Sequence, residues 1–137
     1  MKPTNFDTIN PAVRPIPPSY RWYRLLDPVS YDVGEPLSGD RITVPVGFET
    51  DFASIPRSLW SILPPFDKHL PAAIIHDYLY TIQTRTRKEC DAIFLESMQV
   101  LGVGWFRRQI MHKGVRAGGW RSWNKAAEYL AMKNGKL

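Results

Sequence analysis

The segment AAIIHDYLY places two ionisable residues, His76 and Asp77, in the middle of an apolar stretch. Burial of such groups is costly unless other polar groups face them. Histidine suits acid–base chemistry near neutral pH, and an adjacent carboxylate can bind a cation or orient a partner. We therefore predict a catalytic site here, with His76 as the base. The alternative is structural, with His76 bridging two helices and Asp77 paired with an arginine such as Arg57 or Arg87.

Asp91 is the second candidate catalytic residue, because it begins the apolar stripe of the next predicted helix. Two helices joined by a short connection usually pack antiparallel, which would bring Asp91 close to His76. A carboxylate behind a histidine orients the ring in many hydrolytic sites. A carboxylate near the start of a helix is also favoured by the helix dipole, so a purely structural Asp91 remains the alternative.

The segment TDFASIPR supplies Asp51 as a third candidate catalytic residue, and Ser54 and Arg57 as candidate binding residues. It lies at a predicted junction between a strand and a helix, where free backbone N–H groups can bind an anion or a substrate. For Ser54 we favour helix capping, because Ser is a preferred residue at a helix start. Tyr80, the second aromatic residue of HDYLY, is a further candidate binding residue.

The sequence lacks the motifs that characterise several other kinds of site. The sequence contains no glycine-rich phosphate loop, no G-x-S-x-G elbow and no H-E-x-x-H zinc motif, and His69 and His112 lack the spacing of metal ligands. Cys90 is the only cysteine, which excludes an internal disulfide and a multi-cysteine zinc site. Cys90 is predicted to be a buried core thiol.

The secondary-structure elements that must position these residues are predicted from the spacing of apolar residues, which changes from strand-like to helical along the chain. Aromatic and β-branched runs predict strands over 20–26, 30–33 and 41–48, with Pro45 indicating an edge or a bulge. Apolar residues at helical spacing, with capping and stop signals, then predict helices over 54–63, 70–82, 86–101, 105–115 and 122–132. The predicted fold class is α+β, with a small antiparallel sheet in the N-terminal half and about four helices in the C-terminal half.

The domain organisation follows from length and proline content. Residues 1–19 contain five prolines and are predicted to be an extended arm, which either packs on the domain or reaches a neighbour. Residues 20–137 are long enough for one hydrophobic core and are predicted to form a single domain. No apolar run reaches the length of a transmembrane segment, and the first residues do not resemble a signal peptide.

Charge is concentrated in the last third of the chain. Residues 105–137 contain eight Lys or Arg residues and one acidic residue, Glu128, which gives this third a formal charge of +7. Such a segment is typical of a solvated helical face, and it is also compatible with nucleic acid, anionic lipid or an acidic partner. Trp120 and Trp123 flank Arg121 in the same segment and predict core or interface anchors.

Several separated motifs resemble a family of small proteins of unknown function from tailed bacteriophages and prophages. They are VPVGFETDFASIPRSLWSILPP, AAIIHDYLY, CDAIFLESM and GWRSW, in that order, and they span about residues 44–123. The resemblance implies phage origin and a characteristic His-Asp helix. It also implies other phage virion proteins as partners, and a location in the host cytoplasm and in the virion.

The pair HDYLY and CDAIFLESM is also similar to the two active-site helices of phospholipase A2. That resemblance implies that His76 deprotonates the attacking water, that Asp77 ligates Ca²⁺ and that Asp91 orients His76. The glycine-rich calcium loop and the disulfides of that family have no counterpart in this sequence.

The leading functional hypothesis is a phage accessory or virion-associated protein with a His/Asp hydrolase site that acts on a lipid or cell-envelope bond. The first alternative is a non-catalytic structural or adaptor protein of the head or tail, whose His-Asp helix locks the core. The second is a nucleic-acid binder that uses the basic C-terminal third. Exposure of His76 separates the first two hypotheses, because a catalytic histidine must open onto a pocket.

Overall fold

The computed structural model describes residues 4–61 and 68–135. Two small antiparallel sheets come first and four helices follow, which confirms the predicted α+β fold. One sheet has three strands in the order β1-β2-β5 and the other pairs β3 with β4, so the single predicted sheet is divided in two. The strands are β1 (Val13–Ile16), β2 (Trp22–Leu25), β3 (Val29–Asp32), β4 (Arg41–Val44) and β5 (Glu49–Thr50).

Pro45 explains why the strand predicted over 41–48 is interrupted. β4 ends at Val44, directly before this proline, which has no N–H group to donate to a ladder. The chain then turns through Gly47, whose φ of +92° is in the region that favours glycine. It re-enters a sheet as β5 beside β2, so the turn at Pro45 and Gly47 carries the chain from one sheet to the other.

The N-terminal segment packs on the domain through main-chain pairing. β1 pairs antiparallel with β2, from Val13 opposite Leu25 to Ile16 opposite Trp22. Further towards the N-terminus, Phe6 is buried and forms a bridge with Tyr31, and their ring centroids are 4.6 Å apart. The described part of the proline-rich segment therefore packs on the domain, through contacts with both sheets.

The helices are α1 (Leu70–Ile82), α2 (Arg87–Val100), α3 (Trp105–Gly118) and α4 (Trp120–Lys133). α1 is central, since it packs against α2, α4, β3 and β4 and has nine buried residues. The predicted capping box of Thr86 and Glu89 begins α2. The predicted break at Gly118 and Gly119 separates α3 from α4. None of the helices in residues 4–61 and 68–135 has the length and apolar character that a membrane span requires.

The helix predicted over 54–63 is wrong in the part that the structure describes. Only a short 3₁₀ helix, Arg57–Leu59, forms there, and residues 62 and 63 lie outside the described residues. Ser54 does not act as a helix cap, because its hydroxyl bonds Asp77 on α1. Phe52, between β5 and Ser54, adopts a φ of 55° and is buried in the core. Residues 51–55 form a loop that is attached to α1 through Ser54.

Candidate functional site

Helix α1 directs the side chains of His76 and Asp77 to different neighbours, because successive residues of an α-helix are about 100° apart around its axis. His76 is directed towards α2 and is completely buried. Asp77 is directed towards the end of β5 and the loop 51–55 and is 7% exposed. The two residues therefore belong to one polar cluster but differ in their access to solvent.

His76 lies between the two central helices as the sequence predicts. Its Nε2 is 2.7 Å from Asp91 Oδ1. The imidazole also packs against the rings of Tyr80 and Phe94, with centroid distances of 4.3 and 4.6 Å. The contact with Asp91 orients the histidine, and the aromatic rings exclude water from it.

Asp91 is buried, and several hydrogen-bond donors, including two arginines, compensate its negative charge. Tyr80 donates its hydroxyl to Oδ1 at 2.6 Å, and Arg116 donates to Oδ2 at 2.7 Å. Arg87 adds a second cation, with Nη1 3.5 Å from Oδ2. Burial acts to raise the pKa of Asp91, but the bonds from His76, Tyr80 and Arg116 outweigh it, and the pKa is lowered. Asp91 is thus a carboxylate at neutral pH.

The second nitrogen of His76 faces the loop. Nδ1 is 3.1 Å from the hydroxyl oxygen of Ser54, so Ser54, His76 and Asp91 form a continuous row. Burial lowers the pKa of His76 even though Asp91 opposes this effect. Burial alone therefore favours a neutral imidazole that donates from Nε2 to Asp91.

Asp77 accepts hydrogen bonds from two hydroxyl groups and is not paired with either of the two arginines considered. Ser54 donates to Oδ1 and Thr50 donates to Oδ2. The two arginines considered as partners lie elsewhere, Arg57 over the ring of Trp60 and Arg87 beside Asp91. Burial raises the pKa of Asp77 to about 7, assisted by the charge of Asp51 and opposed by the bond from Thr50. Asp77 thus titrates in the range that acid–base catalysis uses.

The hydrogen-bonded row of Asp77, Ser54, His76 and Asp91 can hold one additional proton in either of two arrangements. The hydroxyl of Ser54 has a single proton but lies between Asp77 and Nδ1 of His76. If Ser54 donates to Asp77, Nδ1 must carry a proton to donate to Ser54, and the ring is an imidazolium. If Asp77 is a carboxylic acid, it donates to Ser54, which donates to a neutral His76. The two arrangements contain the same number of protons, so Ser54 couples the protonation of Asp77 to that of His76.

The calcium role that the phospholipase resemblance implies for Asp77 does not fit these contacts. Calcium takes six to eight oxygen ligands, largely carboxylates and carbonyls. The hydrogen-bond partners of Asp77 are the hydroxyl groups of Ser54 and Thr50 rather than further carboxylate or carbonyl oxygens. Within residues 4–61 and 68–135, no group of three or more His, Cys, Asp or Glu residues is placed to hold a metal ion. We therefore derive no chemical step through calcium.

A cleft of about 470 Å³ lies next to Asp77, between β2, β5, α1 and α4. Asp77, Thr50 and Tyr80 contribute to its inner lining, and Asp51 lines it as well. Pockets of this volume are typical of small-molecule sites. Asp77 is thus the member of the His-Asp pair that meets an open space.

The remaining predicted site residues take different positions. The carboxylate of Asp51 accepts a bond from the N–H of Ala53 at 3.0 Å, and Asp51 reaches the cleft but not His76. Ser54 lies behind Asp77, with 1% of its surface exposed. Arg57 lies outside the cleft and lines a second hollow with Arg121. Cys90 is buried as predicted, and burial raises the pKa of its thiol to about 12.

Three members of the cluster, Thr50, Arg87 and Arg116, are not among the predicted site residues. Thr50 begins the TDFASIPR segment, Arg87 is a predicted partner of Asp77 only in the structural alternative, and Arg116 is one of the eight basic residues of the last third. The need for a cation beside a buried Asp91 was a usable signal, but it did not distinguish Arg116 from the other basic residues of the last third.

Comparison with known proteins assigns the chain to a family. Residues 23–115 match the family described as Protein of unknown function (DUF1353), and the chain belongs to this family. It is also similar to the Uncharacterized protein y4jT of Sinorhizobium fredii (strain NBRC 101917 / NGR234), with 33% identity over 100 residues. That match covers 70% of this chain and 30% of y4jT, so the chain spans about a third of the relative's length. No solved structure matches the chain.

Proposed function

We propose that this protein is an accessory or virion-associated hydrolase of a bacteriophage or prophage, acting on a lipid or cell-envelope bond. The observation that supports this function is the position of Asp77, a carboxyl group that titrates near neutral pH beside an open cleft. The row through Ser54 to His76 and Asp91 gives this carboxyl a proton reservoir. The phage assignment rests on the motif resemblance and on the use that a phage has for an activity against the envelope.

In the proposed reaction, Asp77 is the catalytic residue and takes a proton from water while the water oxygen attacks the electrophilic carbon of the substrate. The bond to the leaving group breaks, and Asp77 returns that proton to the leaving group, so the reaction consumes one water molecule. His76 and Asp91 are completely buried and do not touch a ligand in the cleft. They are positioning residues, whereas the phospholipase resemblance gives His76 the role of base.

One observation favours the non-catalytic alternative. His76 has no exposed surface, and both of its ring nitrogens have partners. A sealed and satisfied histidine is expected of a structural or adaptor protein in which the polar row fixes the packing of α1 against α2 and the loop. The two functions differ in whether Asp77 is needed for a reaction.

The experiment that tests the proposal measures hydrolysis of phospholipid vesicles and of purified peptidoglycan, each with and without calcium. Wild type is compared with Asp77→Asn, which keeps the shape of the side chain but cannot exchange the proton. Asp40→Asn, at a surface ion pair with Arg85, is the matched control. We expect Asp77→Asn to lower the rate at least about a hundredfold, the scale of acid–base catalysis, and the control to keep full activity.

Absence of product from the wild-type protein on both substrates would overturn the hydrolase and leave the structural function. Nucleic-acid binding by the basic third is checked on the same protein with DNA at increasing salt. Affinity that falls steeply with salt supports that alternative.

A further inference from the structure

The cleft beside Asp77 is lined by aromatic side chains from two elements. Trp22 of β2 and Tyr129 of α4 both line it, and their exposed fractions are 46% and 63%. Large aromatic residues that remain this exposed on a concave surface are typical of binding sites, since they offer apolar area at a small cost in conformational entropy. The two rings therefore provide flat apolar surfaces for a ligand in the cleft.

Both signs of charge line the cleft. Glu49, Asp51 and Asp77 contribute carboxyl groups, and Lys125 is the one cation among the described residues that line it. Glu49 is offset by Arg24, whose Nη2 lies 3.3 Å from Oε2. A phosphate group, whether of a lipid headgroup or of a nucleic acid, would be attracted by Lys125 but opposed by the carboxyl group of Asp51, whereas a neutral ligand meets no like charge.

A neutral polyhydroxyl ligand fits both properties. Carboxylates accept bonds from hydroxyl groups, while Lys125, which also lines the cleft, can donate. The apolar faces of a sugar ring can lie on Trp22 and Tyr129. A long acyl chain would have to leave the carboxyl groups around it unsolvated, which is costly.

We propose that the cleft binds a neutral saccharide chain and that envelope glycan, rather than lipid, is the substrate class of this protein. The inference rests on the proposed function for the reaction, but the binding itself does not depend on it. In this arrangement Trp22 and Tyr129 hold the sugar rings, Asp51 and Lys125 bind hydroxyl and amide groups, and Asp77 faces the bond that reacts.

The test is isothermal titration calorimetry with tetra-N-acetyl-chitotetraose, a neutral chain of N-acetylated amino sugars. The binding variants are Trp22→Ala and Tyr129→Ala, and Trp105→Ala is the matched control because Trp105 is an exposed tryptophan of α3 that does not line the cleft. We expect wild type to bind, the two binding variants to bind at least about tenfold more weakly, and the control to stay within about twofold of wild type. Circular dichroism verifies that all four proteins are folded.

Absence of heat with tetra-N-acetyl-chitotetraose overturns the inference, and so does an equal loss of affinity in Trp105→Ala. Binding of vesicles of phosphatidylglycerol and phosphatidylcholine that Trp22→Ala abolishes also overturns it, in favour of lipid. The titration is repeated with Asp77→Asn. Saccharide binding by this variant, together with no hydrolysis by wild type, supports the glycan site while removing the proposed reaction. Hydrolysis of phospholipid without saccharide binding does the reverse.

Discussion

Asp91 is inaccessible to solvent and contacts hydrogen-bonding and positively charged side chains from three helices. Its partners are Tyr80 and His76 on α1, Arg87 on α2 and Arg116 on α3. Removal of a buried charge from such a group leaves its counter-ions uncompensated, which typically costs about 3–5 kcal/mol. We therefore expect Asp91→Asn to lower the free energy of unfolding by about that amount in urea denaturation.

The control for this prediction is Asp40→Asn. Asp40 forms an ion pair with Arg85 at 2.5 Å, but its side chain is 49% exposed. Exposed pairs contribute about 1 kcal/mol or less. Equal losses in the two variants would show that Asp91 is no more important than a surface charge.

Asp77 gives a prediction about pH. Burial raises the pKa of Asp77 in the folded protein to about 7, whereas the carboxyl group of an unfolded chain titrates near its model value of 3.8. The folded state therefore holds this proton more tightly, and the resulting stability is fully present below about pH 4 and is lost as pH rises through 7. We expect Asp77→Asn, which does not titrate, to gain stability relative to wild type between pH 4 and 8.

The gain is on the order of a few kcal/mol, since each unit of pKa shift corresponds to about 1.4 kcal/mol. Urea denaturation of both proteins at several pH values measures it. The difference between the two proteins reports Asp77 together with the part of the His76 titration that Ser54 couples to it, which acts in the opposite direction because burial lowers the pKa of His76. A difference that stays constant with pH would contradict the raised pKa.

At the scale of elements, the joint between α3 and α4 has space for glycine alone. A Cβ atom at Gly119 would lie 2.5 Å from the carbonyl oxygen of Val115 and 2.7 Å from the hydroxyl of Tyr80. We expect Gly119→Ala to destabilise the protein by about 2–3 kcal/mol, as overpacking does, because neither neighbour can move without loss of a hydrogen bond. Thermal unfolding measures the effect.

Gly104→Ala is the matched control, since nothing lies within 4 Å of a Cβ atom at that position and Gly104 also borders a helix. Its cost should stay below about 1 kcal/mol, the scale of an N-cap change. If the two alanine variants unfold at the same temperature, close packing at Gly119 is not the reason for the glycine.

The sequence was informative where an element is determined locally. The helix predicted over 70–82 has the bounds of α1, because an apolar stripe and Pro71 at the first turn determine it. The helix predicted over 54–63 fails because Ser54 uses its hydroxyl for Asp77, which is 23 residues away in sequence. Hydrogen bonds between distant segments override local propensity, and no local pattern reports them.

The same distinction applies to the candidate site. The proximity of His76 and Asp91 followed from two antiparallel helices joined by a short connection, and the structure confirms it. Arg116 comes from a third helix whose register against α2 depends on packing across the whole domain. The position of Asp77 at a cleft likewise depends on where α4 lies.

At the scale of the whole molecule, Phe6 ties the N-terminal segment to the β3–β4 sheet. It is 3% exposed and packs on Tyr31, whose hydroxyl reaches Glu96 of α2 at 2.6 Å. We expect Phe6→Ala to cost about 3–5 kcal/mol, as for other buried phenylalanines. Ile9→Ala, at a position that is 58% exposed, should change stability by about 0.5 kcal/mol or less.

Urea denaturation of these two variants measures how strongly the segment is attached. A Phe6→Ala protein as stable as Ile9→Ala would show that the segment contributes little to the fold.

The contact between Arg116 and Asp91 makes the stability of the α1–α2 pair depend on the presence of α3. A nascent or truncated chain that ends before α3 keeps Arg87 beside Asp91 but lacks Arg116, which is the nearer of the two cations. Such a fragment would open frequently and be accessible to proteases, because cellular degradation follows the population of unfolded forms. Chains that end before α3 would thus be degraded by cellular proteases, while chains that include α3 persist.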